Sequence, residues 1–372
     1  MKMIVRVNCV SSSAQEKNKG YMLRKKRVIS WARLTVVTAV LVAAAALYGQ
    51  DGVQQLANLG QCQLDSGQVI EDCKIGYRTF GHLNAKRDNA VLYLTWYGGT
   101  SANLQEFFGP DKMVDTTRFY GIAMDALGNG VSSSPSNSSR QQGVTFPEFT
   151  VHDMVRAEYR VMTEILHLPK AHAVLGMSMG GIQTFTWAVS YPSFFDLAVP
   201  LVGTPQLTSF DLFYMQTTLD AIQSDPDYQN GRYAKEPSLT VANELGVLLL
   251  TTPEYRVEHT TRAQYKAFLA LSRDGEHPDA NDRVWQLRAV MTQDVLKGRP
   301  MKDVARASGP KFFIVSSSQD HMVNPAPALA WAEAAHAPTF VSHANCGHFI
   351  YFGCDRKEIV EAVRTFLSRN IP

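Results

Sequence analysis

The chain has 372 residues, 45% apolar and 10% aromatic, enough to bury a sizeable core and to exclude disorder as its general state. Its formal charge of +2 is concentrated at the start. Residues 1–49 hold nine Lys/Arg and one Glu, and without them 27 basic and 33 acidic residues remain, a net of −6. A mildly acidic body excludes nucleic acid as a natural partner.

The first fifty residues read as a targeting segment. A basic head at Arg24, Lys25, Lys26 and Arg27 precedes an apolar run from Leu34 to Tyr48. That run suits the core of a signal peptide and is short for a membrane span. Small residues, Ala43 to Ala46, stand where a peptidase would cut, and Met22 is a better start than Met1. The expectation is export, periplasmic or secreted, with cleavage that leaves no stable membrane span. The alternative is an uncleaved N-terminal anchor. Residues 1–49 are therefore set apart from one domain over 50–372.

Within that domain, "CQLDSGQVIEDCKIGYRTFG" reads as a hairpin around Asp65-Ser66-Gly67. Cys62, Cys73, Cys346 and Cys354 form an even set in an exported chain, which permits disulfides in any of three pairings. Neighbouring pairs need the least chain folding, and free buried thiols are the alternative. "AVLYLTWYGG" is a buried strand followed by a loop, and "FYGIAMDALG" repeats the pattern before a solvated Ser-rich stretch. "TVHDMVRAEYRVMTEILHL" has apolar residues at helical spacing. The strand "AHAVLG", Ser178, the helix "GIQTFTWAVSYP" and the strand "LAVPLVG" follow. From about 205 to 305 strands vanish and helical patterns take over, as expected of a lid inserted into the domain. Strand texture returns at "KFFIVSSSQD" and "TFVSHANCG", and "RKEIVEAVRTFLSR" closes the chain as a helix. Strands alternating with helices imply an α/β fold with a mostly parallel central sheet covered on both faces.

Ser178 lies in "VLGMSMGG", with Gly176 and Gly180 two residues to either side. A strand that turns at once into a helix and exposes a hydroxyl at the corner needs small neighbours. This G-x-S-x-G pattern, with both flanking elements in place, is that of a nucleophile elbow. A serine hydroxyl needs a base, and the base needs an acid to orient it. The elbow predicts the chain order Ser, then Asp or Glu, then His. Asp320 and His348 each follow a strand in that order. His343 and His321 fit the base less well, and Asp355 breaks the order. For the oxyanion, the donors expected are the N–H groups of Met179 and of Tyr97, with Trp96 beside it. The composition and spacing call for no metal and no organic cofactor.

These segments together resemble the α/β-hydrolase superfamily, and more narrowly its homoserine O-acetyltransferase-like branch. The resemblance covers roughly 60–372 and rests on "LDSGQVIEDCKIGYRTFG", "DALGNGVSSSPS", "FPEFTVHDMVRA", "GMSMGGIQTFTWA" and "DAIQSDPDYQNGRY". It implies the α/β-hydrolase fold and acyl chemistry at Ser178. It also allows a homodimer, since the transferases are often dimeric. Three departures matter. The transferases' oxyanion segment reads His-Ala-Leu-Thr-Gly, where this chain has Thr95-Trp96-Tyr97-Gly98-Gly99. Leu219 stands where they carry an arginine for the homoserine carboxylate. Phe349 stands where they carry an aspartate for its amine. Burying a zwitterion against Leu and Phe is costly. With Phe213, Trp96, Leu219 and Phe349 as expected pocket residues, the reading is a serine hydrolase for a small-molecule ester with a neutral, fairly apolar acyl group. An acyltransferase is the alternative enzyme. A non-catalytic binding protein on the same fold is the third reading, disfavoured by an intact triad.

Overall fold

The computed structural model describes residues 51–273 and 277–369; the expected targeting segment lies outside them. No helix among the described residues is long and apolar enough to cross a membrane.

The chain opens as the expected hairpin, β1 (Gln55–Gln63) and β2 (Val69–Phe80), paired antiparallel. The disulfide Cys62–Cys73 ties the two strands. Then come β3 (Ala90–Leu94), β4 (Tyr120–Met124), α1 (Val151–Arg160), β5 (Ala171–Met177), α2 (Met179–Ser190) and β6 (Phe195–Leu201). After a helical block the sheet resumes with β7 (Lys311–Phe312) and β8 (Ile314–Ser317). These are two pieces of one strand, since the intervening Phe313 N–H still donates to Ala198 O at 3.0 Å. A helix not foreseen in the sequence, Ala326–Ala335, leads to β9 (Thr339–Ser342). The strand order is β1-β2-β4-β3-β5-β6-β8-β9; β2 runs antiparallel to both of its neighbours, β1 and β4, and the other pairings are parallel.

The central strands are apolar on both faces because both faces are covered. In β3, Leu92 and Leu94 join Ile182 and Phe185 of α2 in one core. Val91 and Tyr93 point the other way, into a second core with Phe107, Phe108 and Ile359, Val363 and Leu367 of the last helix (Arg356–Arg369).

The helical block between β6 and β7 has two tiers. Helices α3 (Ser209–Gln223), α4 (Thr240–Leu250), α5 (Pro253–His259) and α6 (Tyr265–Arg273) keep most of their residues partly or fully exposed. Helix α7 (Ala280–Met291) is buried along nearly its whole length. Trp285 Nε1 donates to Phe146 O at 3.0 Å, so α7 packs on the sheet domain itself.

One buried group sets a pH dependence on the fold. Glu158 of α1 is fully buried; its Oε2 accepts from Trp187 Nε1 at 2.8 Å, and its Oε1 has no partner among the described residues. Burial raises its pKa to about 8, against the opposing Trp187 bond. Between the unfolded value of 4.5 and about 8 the folded state holds a proton that the unfolded state releases. Stability therefore falls as pH rises through that window, by an amount on the order of a few kcal/mol. Urea unfolding from pH 5 to 8 is expected to show this slope in the native chain, and Glu158→Gln is expected to flatten it.

Candidate functional site

The parallel strands end on one edge of the sheet, where open α/β folds place their chemistry. β5 ends at Met177 and α2 begins at Met179, so Ser178 alone makes the turn, at φ 57° and ψ −119°. That backbone conformation is strained for a residue with a side chain. Small neighbours permit it. A Cβ on Gly176 would lie 2.2 Å from Gly180 O, and one on Gly180 would lie 2.4 Å from Leu94 O at the end of β3. Ser178 N–H donates to Leu201 O at 2.9 Å, anchoring the corner to β6. The hydroxyl sits at the start of α2, where unpaired N–H groups and the helix dipole favour negative charge.

Past β8, Asp320 folds back so that its Oδ1 accepts the N–H groups of Met322 and Val323, both at 2.9 Å. Its Oδ2 lies 2.7 Å from His348 Nδ1. Both residues are only 7% exposed. His348 rides on a single turn, Gly347–Phe349, that follows β9. The disulfide Cys346–Cys354 brackets that turn. The turn also touches the helical block: a Cβ on Gly347 would lie 3.2 Å from Thr251 Cα, Thr252 Oγ1 donates to Asn345 O, and Asn345 Nδ2 donates to Glu258 Oε2 at 3.0 Å. The competing histidines stand apart: His321 and His343 are exposed, and His343 Nδ1 lies 3.2 Å from Ser318 Oγ. Among the described residues no hydrogen bond joins the Ser178 hydroxyl to His348.

The loop after β3 runs beside the Ser178 corner, and buried polar side chains absent from the sequence-level site clamp it. Gln183 Nε2 donates to Thr95 O at 3.1 Å, and Gly98 N–H donates to Gln286 Oε1 at 2.8 Å. Asp125 accepts Ser101 N–H at 2.6 Å and Ser101 Oγ–H at 2.7 Å. Only Asp125 carries a signal, as part of "DALGNG"; Gln183 stands in the largely apolar helix α2, and Gln286 is one of several polar residues in α7, so periodicity singles out neither. Tyr97 OH donates to Arg283 O at 3.1 Å, and burial raises the phenol pKa. Met179 is the first residue of α2, so its N–H has no acceptor inside the helix.

The expected pocket residues divide. Trp96 and Phe349 both pack on Phe352, at centroid distances of 6.0 and 5.3 Å, which links the loop after β3 to the histidine turn. Leu219 is buried in the core under α3. Phe213 is 75% exposed and forms no enclosed wall. No cluster of three or more metal-ligating side chains occurs among the described residues.

A family model described as the alpha/beta hydrolase fold matches residues 91–353. An ethyl acetate hydrolase from Pseudomonas veronii is 31% identical over 218 residues, 58% of this chain and 62% of its own. A homoserine O-acetyltransferase from Geotalea daltonii is 32% identical over 214 residues, 52% of this chain and 58% of its own. The chain spans about half to three fifths of the length of the curated relatives it matches. The solved structure of an acetylester hydrolase from Corynebacterium glutamicum matches with a TM-score of 0.78 and 25% identity, over 86% of this chain and 95% of that one.

Closing a nine-residue loop around His348 by Cys346–Cys354 should contribute about 2.5 kcal/mol by loop entropy. The double variant Cys346→Ser/Cys354→Ser is expected to lose that much in urea unfolding. An unchanged midpoint would mean that the bridge does not hold the turn.

Proposed function

This chain belongs to the α/β-hydrolase fold family, and on that premise we propose that it is an exported serine hydrolase that cleaves small-molecule esters through an acyl-Ser178 intermediate. The observation that carries the reading is the buried 2.7 Å contact between Asp320 and His348, on the same sheet edge as the strained corner at Ser178. The esterase relatives support ester cleavage as the reaction class.

In the proposed mechanism His348 Nε2 takes the Ser178 proton as the oxygen attacks the ester carbonyl. Asp320 fixes the imidazole with its proton on Nδ1 and stabilises the imidazolium that forms. The oxyanion is received by the N–H groups of Met179 and Tyr97, each donor worth about 2.7–4 kcal/mol at such sites. The tetrahedral intermediate collapses, the alcohol leaves with the proton from His348, and water deacylates Ser178 by the same route in reverse. The bond between Ser178 and His348 is one that forms with substrate in place; catalytic hydrogen bonds commonly tighten only in the complex.

The transferase relatives favour a second reading, in which an acceptor hydroxyl replaces water. Against it stand Leu219 and Phe349, which supply no charge for an amino-acid acceptor. Acyl-enzyme partitioning with acetyl-CoA and a panel of hydroxyl acceptors separates the two. Acyl product forming faster than free acid would favour transfer.

Ser178→Ala is expected to lower kcat on p-nitrophenyl butyrate by about 10⁶-fold, and His348→Ala by a comparable factor. Retained turnover in Ser178→Ala would remove the serine from the mechanism. Mass spectrometry of the exported protein is expected to find an N-terminus near residues 47–50, whereas an intact Met22 terminus would indicate an anchor.

A further inference from the structure

A guanidinium taken out of water normally meets a carboxylate, because an unpaired buried charge is expensive. Arg283 of α7 does not. It is 7% exposed, and Nη1 donates to the neutral Oδ1 of Asn243 on α4 at 2.8 Å. No ion pair joins it to any carboxylate among the described residues. The nearby acids are engaged elsewhere. Glu244 pairs with Arg273, and Asp279 caps α7 through the N–H groups of Asn281 and Asp282. Asp282 accepts from Ser136 N–H and Oγ–H. Arg288, one turn along the same helix, has its partner in Glu148.

Among the described residues, the other groups that feel the Arg283 charge are two phenols and an imidazole. They are the phenols of Tyr97 and of Tyr214 on α3, and the imidazole of His277, whose pKa burial and then the arginine itself lower. One cation, one amide and two hydroxyls thus form a polar socket with no anion among the described residues. Its place ties it to the candidate active site. Tyr97 OH is bonded to Arg283 O, and Gly98 N–H to Gln286 one turn further on, so the socket adjoins the loop that carries the proposed oxyanion donor. Helices α3 and α4 supply its outer side through Tyr214 and Asn243.

We infer that Arg283 binds a carboxylate of the substrate, so that the preferred esters carry a negative charge on the acyl or the alcohol portion. This deepens the ester-hydrolase reading and rests on it. It also revises the expectation of a neutral acyl group drawn from the apolar residues of α3. The socket holds no carboxylate of its own among the described residues, so it suits a simple anion and not a zwitterion.

The test compares matched ester pairs: p-nitrophenyl butyrate against mono-p-nitrophenyl glutarate for the acyl side, and ethyl acetate against O-acetylglycolate for the alcohol side. In the native chain the ratio of kcat/KM, anionic over neutral, is expected to exceed one for one pair. Arg283→Met is expected to lower that ratio about 10- to 100-fold, and Arg283→Lys to restore part of it. An unchanged ratio in Arg283→Met for both pairs would overturn the inference. If the native chain hydrolyses none of these esters, the hydrolase reading fails separately. Calorimetric titration with glutarate still reads the socket: binding lost in Arg283→Met supports the inference, and no binding to the native chain refutes it. Asp274 and Glu276 lie outside the described residues. If either filled the socket, Asp274→Asn/Glu276→Gln would tighten glutarate binding tenfold or more, and that result would also refute the inference.

Discussion

The end of β3 and the first turn of α2 approach so closely that no side chain fits between them. Gly180 has the carbonyl of Leu94 where its Cβ would be, and Gly176 has Gly180. This contact brings two otherwise independent loops to one edge. It forces the chain to turn within Ser178 alone and sets the segment Thr95–Tyr97 beside that turn. A methyl group at either glycine would push the strand end and the helix start apart and separate the serine from the N–H groups beside it.

Around this contact the structure uses buried polar bonds to hold what is not regular secondary structure. Asp125, Gln183 and Gln286 each come from a different element, and each fixes a different point of the loop after β3. Buried amides and carboxylates bonded in this way confer rigidity that apolar packing alone does not supply to a loop. Asp320 follows the same logic: one oxygen is locked by two backbone N–H groups, so the other is presented to His348 in one orientation.

Much of this was legible from residue order. The strands β3 and β5 show as short apolar runs because both faces are buried, and the hairpin shows through its Asp-Ser-Gly turn. The pair Asp320 and His348 was found from chain order and from strand ends. What residue order does not show depends on neighbours distant in sequence. Helix α7 looks like the other helices of its block, yet it is buried because Phe146 and Leu127 lie across from it. Phe213 looks like pocket lining by composition, but helical rotation turns it to solvent. Arg283 is one charge among 36 Lys/Arg until its surroundings are known. Even the helix Ala326–Ala335 hides in an alanine-rich stretch with little amphipathic contrast.

The seam between the outer helices and the histidine turn restricts how a ligand can get in. Thr251 and Thr252, at the junction of α4 and α5, press on Gly347, Thr252 bonds to Asn345 O, and Glu258 adds a second stitch. Swinging α4 and α5 outward as a rigid pair would tear these links and drag the imidazole off its carboxylate. That flank therefore behaves as a fixed wall beside the histidine turn.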